Sequence, residues 1–204
     1  MDAISEVIMY FHKGGLVMWP LLFCSVAVVA IAIERFLFYK AADSGSKFVR
    51  EYCALLAQGQ LQAASELAQG SGGQAARIVA AAGVLERSRC EAYMESQSGI
   101  FIAQLRSKLD YLGIIVTMSP LLGLLGTIVG MIGAFSIFNL QAGAPLAITG
   151  GIGEALIATA TGLCVAIMSL IAHSYFGHRL DNIITDMEQC FSALLEAKTR
   201  GEAL

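Results

Sequence analysis

YLGIIVTMSPLLGLLGTIVGMIGAFSIFNLQAGAPLAITGGIGEALIATATGLCVAIMSLIAHSYFGH, residues 111–178, holds one formally charged side chain in 68 positions, Glu154. No soluble domain can cover its surface with so few polar groups. The run is long enough to cross a hydrocarbon core of about 30 Å twice, at ~20 residues per passage. It divides at a short uncharged linker, 140–146, which leaves spanning segments at 111–139 and 147–176.

A further uncharged run, 15–33, lies upstream and is closed by Glu34 and Arg35. Trp19 and Pro20 stand near its start, where an interfacial aromatic and a first-turn proline are accommodated. It is expected to be a third membrane helix, 14–35. A signal peptide fits less well, because Asp2 and Glu6 outweigh Lys13 before it and the run is long for such a segment. The expected fold class is an all-α integral membrane protein with three transmembrane helices.

The whole chain agrees. Of 204 residues, 56% are hydrophobic and 14% charged, against about 25% charged in ordinary soluble domains. The composition argues against a water-soluble enzyme, and the apolar content against disorder. Thirteen Lys and Arg against sixteen Asp and Glu give a net charge of −3, so no basic footprint for nucleic acid exists. Cys24, Cys53, Cys90, Cys164 and Cys190 form no CxxC and no Cys/His cluster, and read as small buried hydrophobes rather than metal ligands or disulfides. No cofactor and no metal is expected.

Lys and Arg set the expected orientation. Arg35, Lys40, Lys47 and Arg50 follow the first run, Arg106 and Lys108 precede the second, and Arg179, Lys198 and Arg200 follow the third. The linker 140–146 has none. The N-terminus is thus expected outside and the C-terminus in the cytoplasm, with 36–110 a cytoplasmic helical segment and 177–204 a cytoplasmic C-terminal helix.

Ile4, Val7, Ile8 and Phe11 fall on one helical face, so 1–13 reads as an interfacial amphipathic helix. Helical patterns cover 47–56, 60–67 and 75–85, broken at Gln58-Gly59 and at the Gly/Ser-rich 69–73. From Arg87 an apolar stripe runs without a breaker into the second membrane segment. One continuous helix of roughly 50 residues, close to 75 Å, is expected there. The tail carries Ile183, Ile184, Met187, Phe191, Leu194 and Leu195, and is expected to extend the third helix antiparallel to the second.

Glu154 is the strongest signal for function. A carboxylate inside hydrocarbon costs about 2.5–3.5 kcal/mol on insertion scales. It can take up a proton or face a wet, protein-lined cavity, and either makes it a candidate ion site; the plain alternative is a Glu that snorkels to the outer interface or pairs with a neighbouring helix. Around it, Gly123, Gly126, Gly130 and Gly133 on the second helix, and Gly162 among small residues on the third, form stripes expected to let the helices approach closely. Thr127, Thr159 and Thr161 add hydroxyls, which in a helix can also bond their own backbone. Pro120 removes a helix hydrogen bond from the Val116 carbonyl, so a kink is expected there. Ser169 and His173 share a helix face, but without an oxyanion donor or a strained turn they make a poor hydrolase.

Pro120-Leu-Leu-Gly-Leu-Leu-Gly-Thr127-Ile-Val-Gly130-Met resembles the second-helix motif of the MotA/TolQ/ExbB proton channel family. Gly151-Ile-Gly-Glu154-Ala-Leu-Ile-Ala-Thr159-Ala-Thr-Gly162-Leu is similar to its third-helix motif, and Glu34-Arg35-Phe-Leu-Phe-Tyr to the pair that closes its first helix. The three-helix layout resembles the ExbB and TolQ types rather than four-helix MotA.

The resemblance implies a homopentamer around a dimer of a single-span partner of the ExbD/TolR type. It implies an ion pathway lined at Thr127, Glu154 and Thr159, and work delivered through a TonB- or TolA-like protein to the outer membrane. The transported ion would be H+, the compartment the bacterial inner membrane. On a helical wheel Thr159 lies about 140° from Glu154 and Thr161 about 20°. The motif selects the first and the wheel the second. A hydroxyl at Thr161, where the family often has an aliphatic residue, would also suit Na+. The alternatives are a TolQ-like subunit of the Tol-Pal envelope system, a Na+-coupled stator, and, outside the family, a structural membrane scaffold.

Overall fold

The structure, a computed structural model, describes residues 14–140 and 145–202. The expected interfacial helix 1–13 and all but the ends of the linker 140–146 lie outside the described residues. Among the described residues seven helices follow in order: α1 Met18–Ala42, α2 Ser46–Ala57, α3 Leu61–Gly70, α4 Gln74–Gly83, α5 Arg87–Arg106, α6 Leu109–Leu140 and α7 Pro145–Glu202. Among the described residues, three helices are long and apolar enough to cross a membrane.

The chain divides into two compact units. The first takes in residues 1–32 and 110–174, and the second 33–109 and 175–204. The 58-residue α7 contributes to both, as the amphipathic tail led one to expect of the third helix. α1 also runs past Arg35, where the membrane segment was expected to end, as far as Ala42.

The first unit is built inside out relative to a soluble domain. Many of its buried positions on α6 and α7 are small, among them Ala134, Ala155, Ala158, Ala166, Ser119 and Ser169, beside Leu112, Ile115 and Val165. Its large aliphatics, such as Leu121, Ile132, Leu156 and Ile171, face outward. Small residues between helices and bulky ones outside are what an apolar surrounding selects. α6 continues through Pro120.

The second unit has an ordinary side-chain core. Tyr39, Tyr52, Val79, Met94, Leu105, Met187 and Leu194 are buried in it. The rings of Tyr39 and Phe176 lie 5.5 Å apart, and those of Phe48 and Tyr52 stack at 5.4 Å. α2, α3 and α4 form where the sequence pattern placed helices. Gly59 closes α2 with φ of 75°, a conformation open to glycine at little cost. α4 is capped from a distance, because its third amide, at Ala76, donates to the Ser44 hydroxyl across 3.3 Å. Lys198 on α7 donates to the Gly83 carbonyl at the other end of α4, across 2.9 Å.

The stretch from Arg87 differs from expectation. A turn at Ser107–Lys108 divides it into α5 and α6. The physical reason is a clasp on the last turn of α5. Arg35, only 4% exposed, donates to the carbonyls of Gln104 at 3.1 Å and Leu105 at 3.4 Å. The Tyr39 hydroxyl donates to the Leu105 carbonyl at 3.2 Å. Glu34 holds the guanidinium at 2.9 Å and also pairs with Lys108, in the turn itself, at 3.0 Å. Carbonyls at a helix end need donors from outside the helix, and α1 supplies them together with the Ser107 hydroxyl, which donates to the Gln104 carbonyl at 3.0 Å.

Candidate functional site

The site grows from the contact of α6 with α7 in the first unit. A Cβ on Gly126 would sit 2.5 Å from the Ala158 methyl, and one on Gly130 would sit 3.1 Å from that of Ala155. A Cβ on Gly123 would lie 3.1 Å from the Thr159 Cα. From the other side, a Cβ on Gly162 would meet the Ser119 carbonyl oxygen at 2.5 Å and the Gly123 Cα at 3.0 Å. Ascending numbers on one helix meet descending numbers on the other, so the two are antiparallel. Four of the five glycines expected to mediate packing therefore do so by main-chain approach.

The fifth does not. A Cβ on Gly133 would meet nothing within 4 Å in this chain, and Ala134 occupies the packed position opposite Gly151. Positions 126, 130 and 134 keep one face at a spacing of four, and 133 has rotated off it.

The hydroxyls separate into two kinds. Thr159 donates across the interface to the Gly123 carbonyl at 3.0 Å. Thr127 donates to the Leu124 carbonyl at 2.6 Å and Thr161 to the Ile157 carbonyl at 2.8 Å, each on its own helix. Of the two threonines that motif and wheel had separated, Thr159 is the one turned toward α6. Ser169 makes a second crossing bond, to the Leu112 carbonyl at 2.9 Å. That commits its hydroxyl proton, and His173 lies instead beside Gly113. The Ser119 hydroxyl is fully buried and has no hydrogen-bond partner among the described residues.

Glu154, on the same helix as Thr159 and Thr161, is bonded to neither. Among the described residues no hydrogen bond or ion pair reaches its carboxylate. Its side chain lies against Gly15, in the turn that opens α1. A Cβ there would be 3.2 Å from the Glu154 Cδ and closer still to Oε1. Sequence reasoning missed Gly15, Ser119 and the Ser169 bond. The Gly14-Gly15 pair before an apolar run was visible, but its neighbour 139 positions away was not. Among the described residues no cluster of three or more His, Cys, Asp or Glu side chains suits a metal ion.

An antiparallel apolar helix pair, closed by glycine contacts and carrying one acidic group, together with three helices long and apolar enough to span, is the pattern of a membrane protein. Residues 71–189 match the model of the MotA/TolQ/ExbB proton channel family, and the chain belongs to that family. It is 35% identical over 170 residues, covering 80% of this chain and 81% of the relative, to a Synechocystis protein named putative biopolymer transport protein ExbB-like 3. It is 26% identical over 183 residues to the Vibrio cholerae biopolymer transport protein exbB1, covering 85% of this chain and 80% of that one. A Pseudomonas aeruginosa Tol-Pal system protein TolQ is 37% identical over 82 residues, covering 40% of this chain and 36% of the relative. The family is one of channel subunits rather than enzymes.

Proposed function

We propose that this chain is an ExbB-like stator subunit of the bacterial inner membrane, which couples the proton motive force to mechanical work on a single-span partner. Five copies surround a dimer of an ExbD/TolR-like protein, and the work passes through a TonB-like protein to drive outer-membrane transport. The N-terminus lies outside, with the second unit in the cytoplasm, as the Lys and Arg distribution asks. The observation that carries the reading is Glu154, the one charge in residues 111–178, set in a helix that glycine contacts lock against α6. The other acid and base on α6 and α7 within the first unit are Asp110 and His173. His173 stands 19 residues from Glu154, about 28 Å along α7, too far to take its proton directly, so the next acid in the path is assigned to the partner.

Two ExbB-type relatives match along about four fifths of their length, which favours this role, while the TolQ proteins and another ExbB match over 82 to 106 residues. Thr159, Thr127 and Thr161 supply oxygens along the route, with H+ as the ion. Ion flux through the assembled complex tests the reading. Glu154→Gln assembles normally and abolishes flux. Loss of assembly alone marks Glu154 as a scaffold residue and refutes the role. Flux that stops when Na+ is withdrawn makes Na+ the ion.

A further inference from the structure

The turn that opens α1 is built around the Glu154 side chain. Gly15 has φ of +72°, the left-handed region that residues with a Cβ rarely adopt. It also has no room for a Cβ, because the Glu154 carboxyl occupies that place, with Cδ at 3.2 Å and Cγ at 3.7 Å. Gly14 next to it is buried, and a Cβ there would be 3.4 Å from Ile157 on α7. Val17 comes within 3.7 Å of where a Gly126 Cβ would be, and packs with Met18, Leu21 and Leu122. The start of α1 thus packs against both α6 and α7, at the level of Glu154. Its two glycines leave bare main chain under the carboxyl. The other positive-φ glycines with open surroundings, Gly45 and Gly59, show that the backbone angle alone does not require such a contact.

We propose that the Gly14–Gly15 turn is the seat of the Glu154 carboxyl, so that α1 as well as α6 and α7 positions the acidic group of the ion route. Gly15 is a positioning residue: it touches the carboxyl and carries no ion. The inference rests on Glu154 conducting, and it adds a third helix to a route so far drawn on two. α1 brings no charge of its own to the seat, since residues 14–33 have none.

The test uses the full-length chain in lipid vesicles and, for flux, the assembled complex. The infrared carboxyl band of Glu154 is assigned by its loss in Glu154→Gln. Gly15→Ala shifts that band and lowers flux about tenfold, as displacement of a reacting group does. Gly45→Ala introduces the same backbone strain in open space and leaves both unchanged. Gly15→Asn, which tolerates the left-handed angle but keeps a Cβ, reproduces the Gly15→Ala shift if the alanine variant folds poorly. Glu154→Asp, one methylene shorter, restores part of the flux in the Gly15→Ala background.

An unshifted band in a folded Gly15→Ala or Gly15→Asn protein overturns the seat. An equal shift in Gly45→Ala does the same. If Glu154→Gln conducts like the parent, the ion-route reading falls instead, and the infrared result still decides the seat.

Discussion

Thr159 on α7 gives its hydroxyl proton to the main-chain carbonyl of Gly123 on α6, across 3.0 Å. The bond exists because Gly123 has no side chain to hold the helices apart, and in an apolar surrounding neither group has water as a substitute. Thr159→Val keeps the shape and deletes the bond, at about 0.6–1.7 kcal/mol for an interhelical hydrogen bond in a membrane. Thr159→Ser retains it. Apparent melting temperatures in one detergent should rank the parent and the serine variant together, above valine.

The glycine contacts predict opposite outcomes for one substitution. Gly162→Ala forces a methyl into the Ser119 carbonyl and the Gly123 Cα, neither of which can turn aside as a side chain can. Overpacking of this kind costs about 1–3 kcal/mol. Gly133→Ala meets open space within the chain and trades a flexible residue for the best helix former, worth up to about 1 kcal/mol in its favour. Thermal unfolding of the two variants should move in opposite directions. A Gly162→Ala protein as stable as the parent contradicts the packing described.

Arg35 binds two end carbonyls of α5 and the Glu34 carboxylate while almost fully buried. Arg35→Lys keeps the charge but not the planar fork, and is expected to cost about 2 kcal/mol. Lys108→Ala removes a half-exposed pair and should cost less than about 1 kcal/mol. Hydrogen exchange at residues 105–110 reads both, with fast opening expected only in the arginine variant.

Burial, and after it the Asp43 carboxylate, hold Asp186 above the ordinary carboxylate range. Its ionised form is thus less favoured in the folded chain than in the unfolded one, so the ionisation of Asp186 weakens the fold as pH rises. Below about pH 4 the group is protonated in both states and the penalty disappears. Asp186→Asn should therefore raise the melting temperature at pH 7–8, with the gain fading in acid. A gain that persists at pH 3 would point to packing instead of charge.

Glu154 and the helix stripes were legible because both are properties of consecutive residues: one charge in an apolar run, and small side chains every three or four positions. That Gly133 turns away from α7 within the chain was not legible, because adjacent residues on a helix differ by only 100° and a stripe in a sequence does not fix its phase against a partner. The division at Ser107–Lys108 was invisible for another reason. Nothing in residues 87–112 breaks a helix by itself, and beside the local Ser107 hydroxyl the donors that satisfy its end come from Arg35 and Tyr39, some 70 positions earlier. The place of Glu154 over Gly15 was hidden in the same way, since only the folded chain brings residue 15 to residue 154.

The Ser44 hydroxyl and the Ala76 amide meet across a sequence separation of 32 residues. The excursion between them, with α2 and α3, leaves and returns at one pinned point. A strand of chain tied at its neck can be lengthened or shortened at a cost that grows only with the logarithm of its length. α2 itself is fixed, because Phe48, Val49, Tyr52 and Leu56 are buried in the core of the second unit. The length that can vary is the exposed turn at 58–60, and a graft of foreign sequence there is the place to begin tagging the protein.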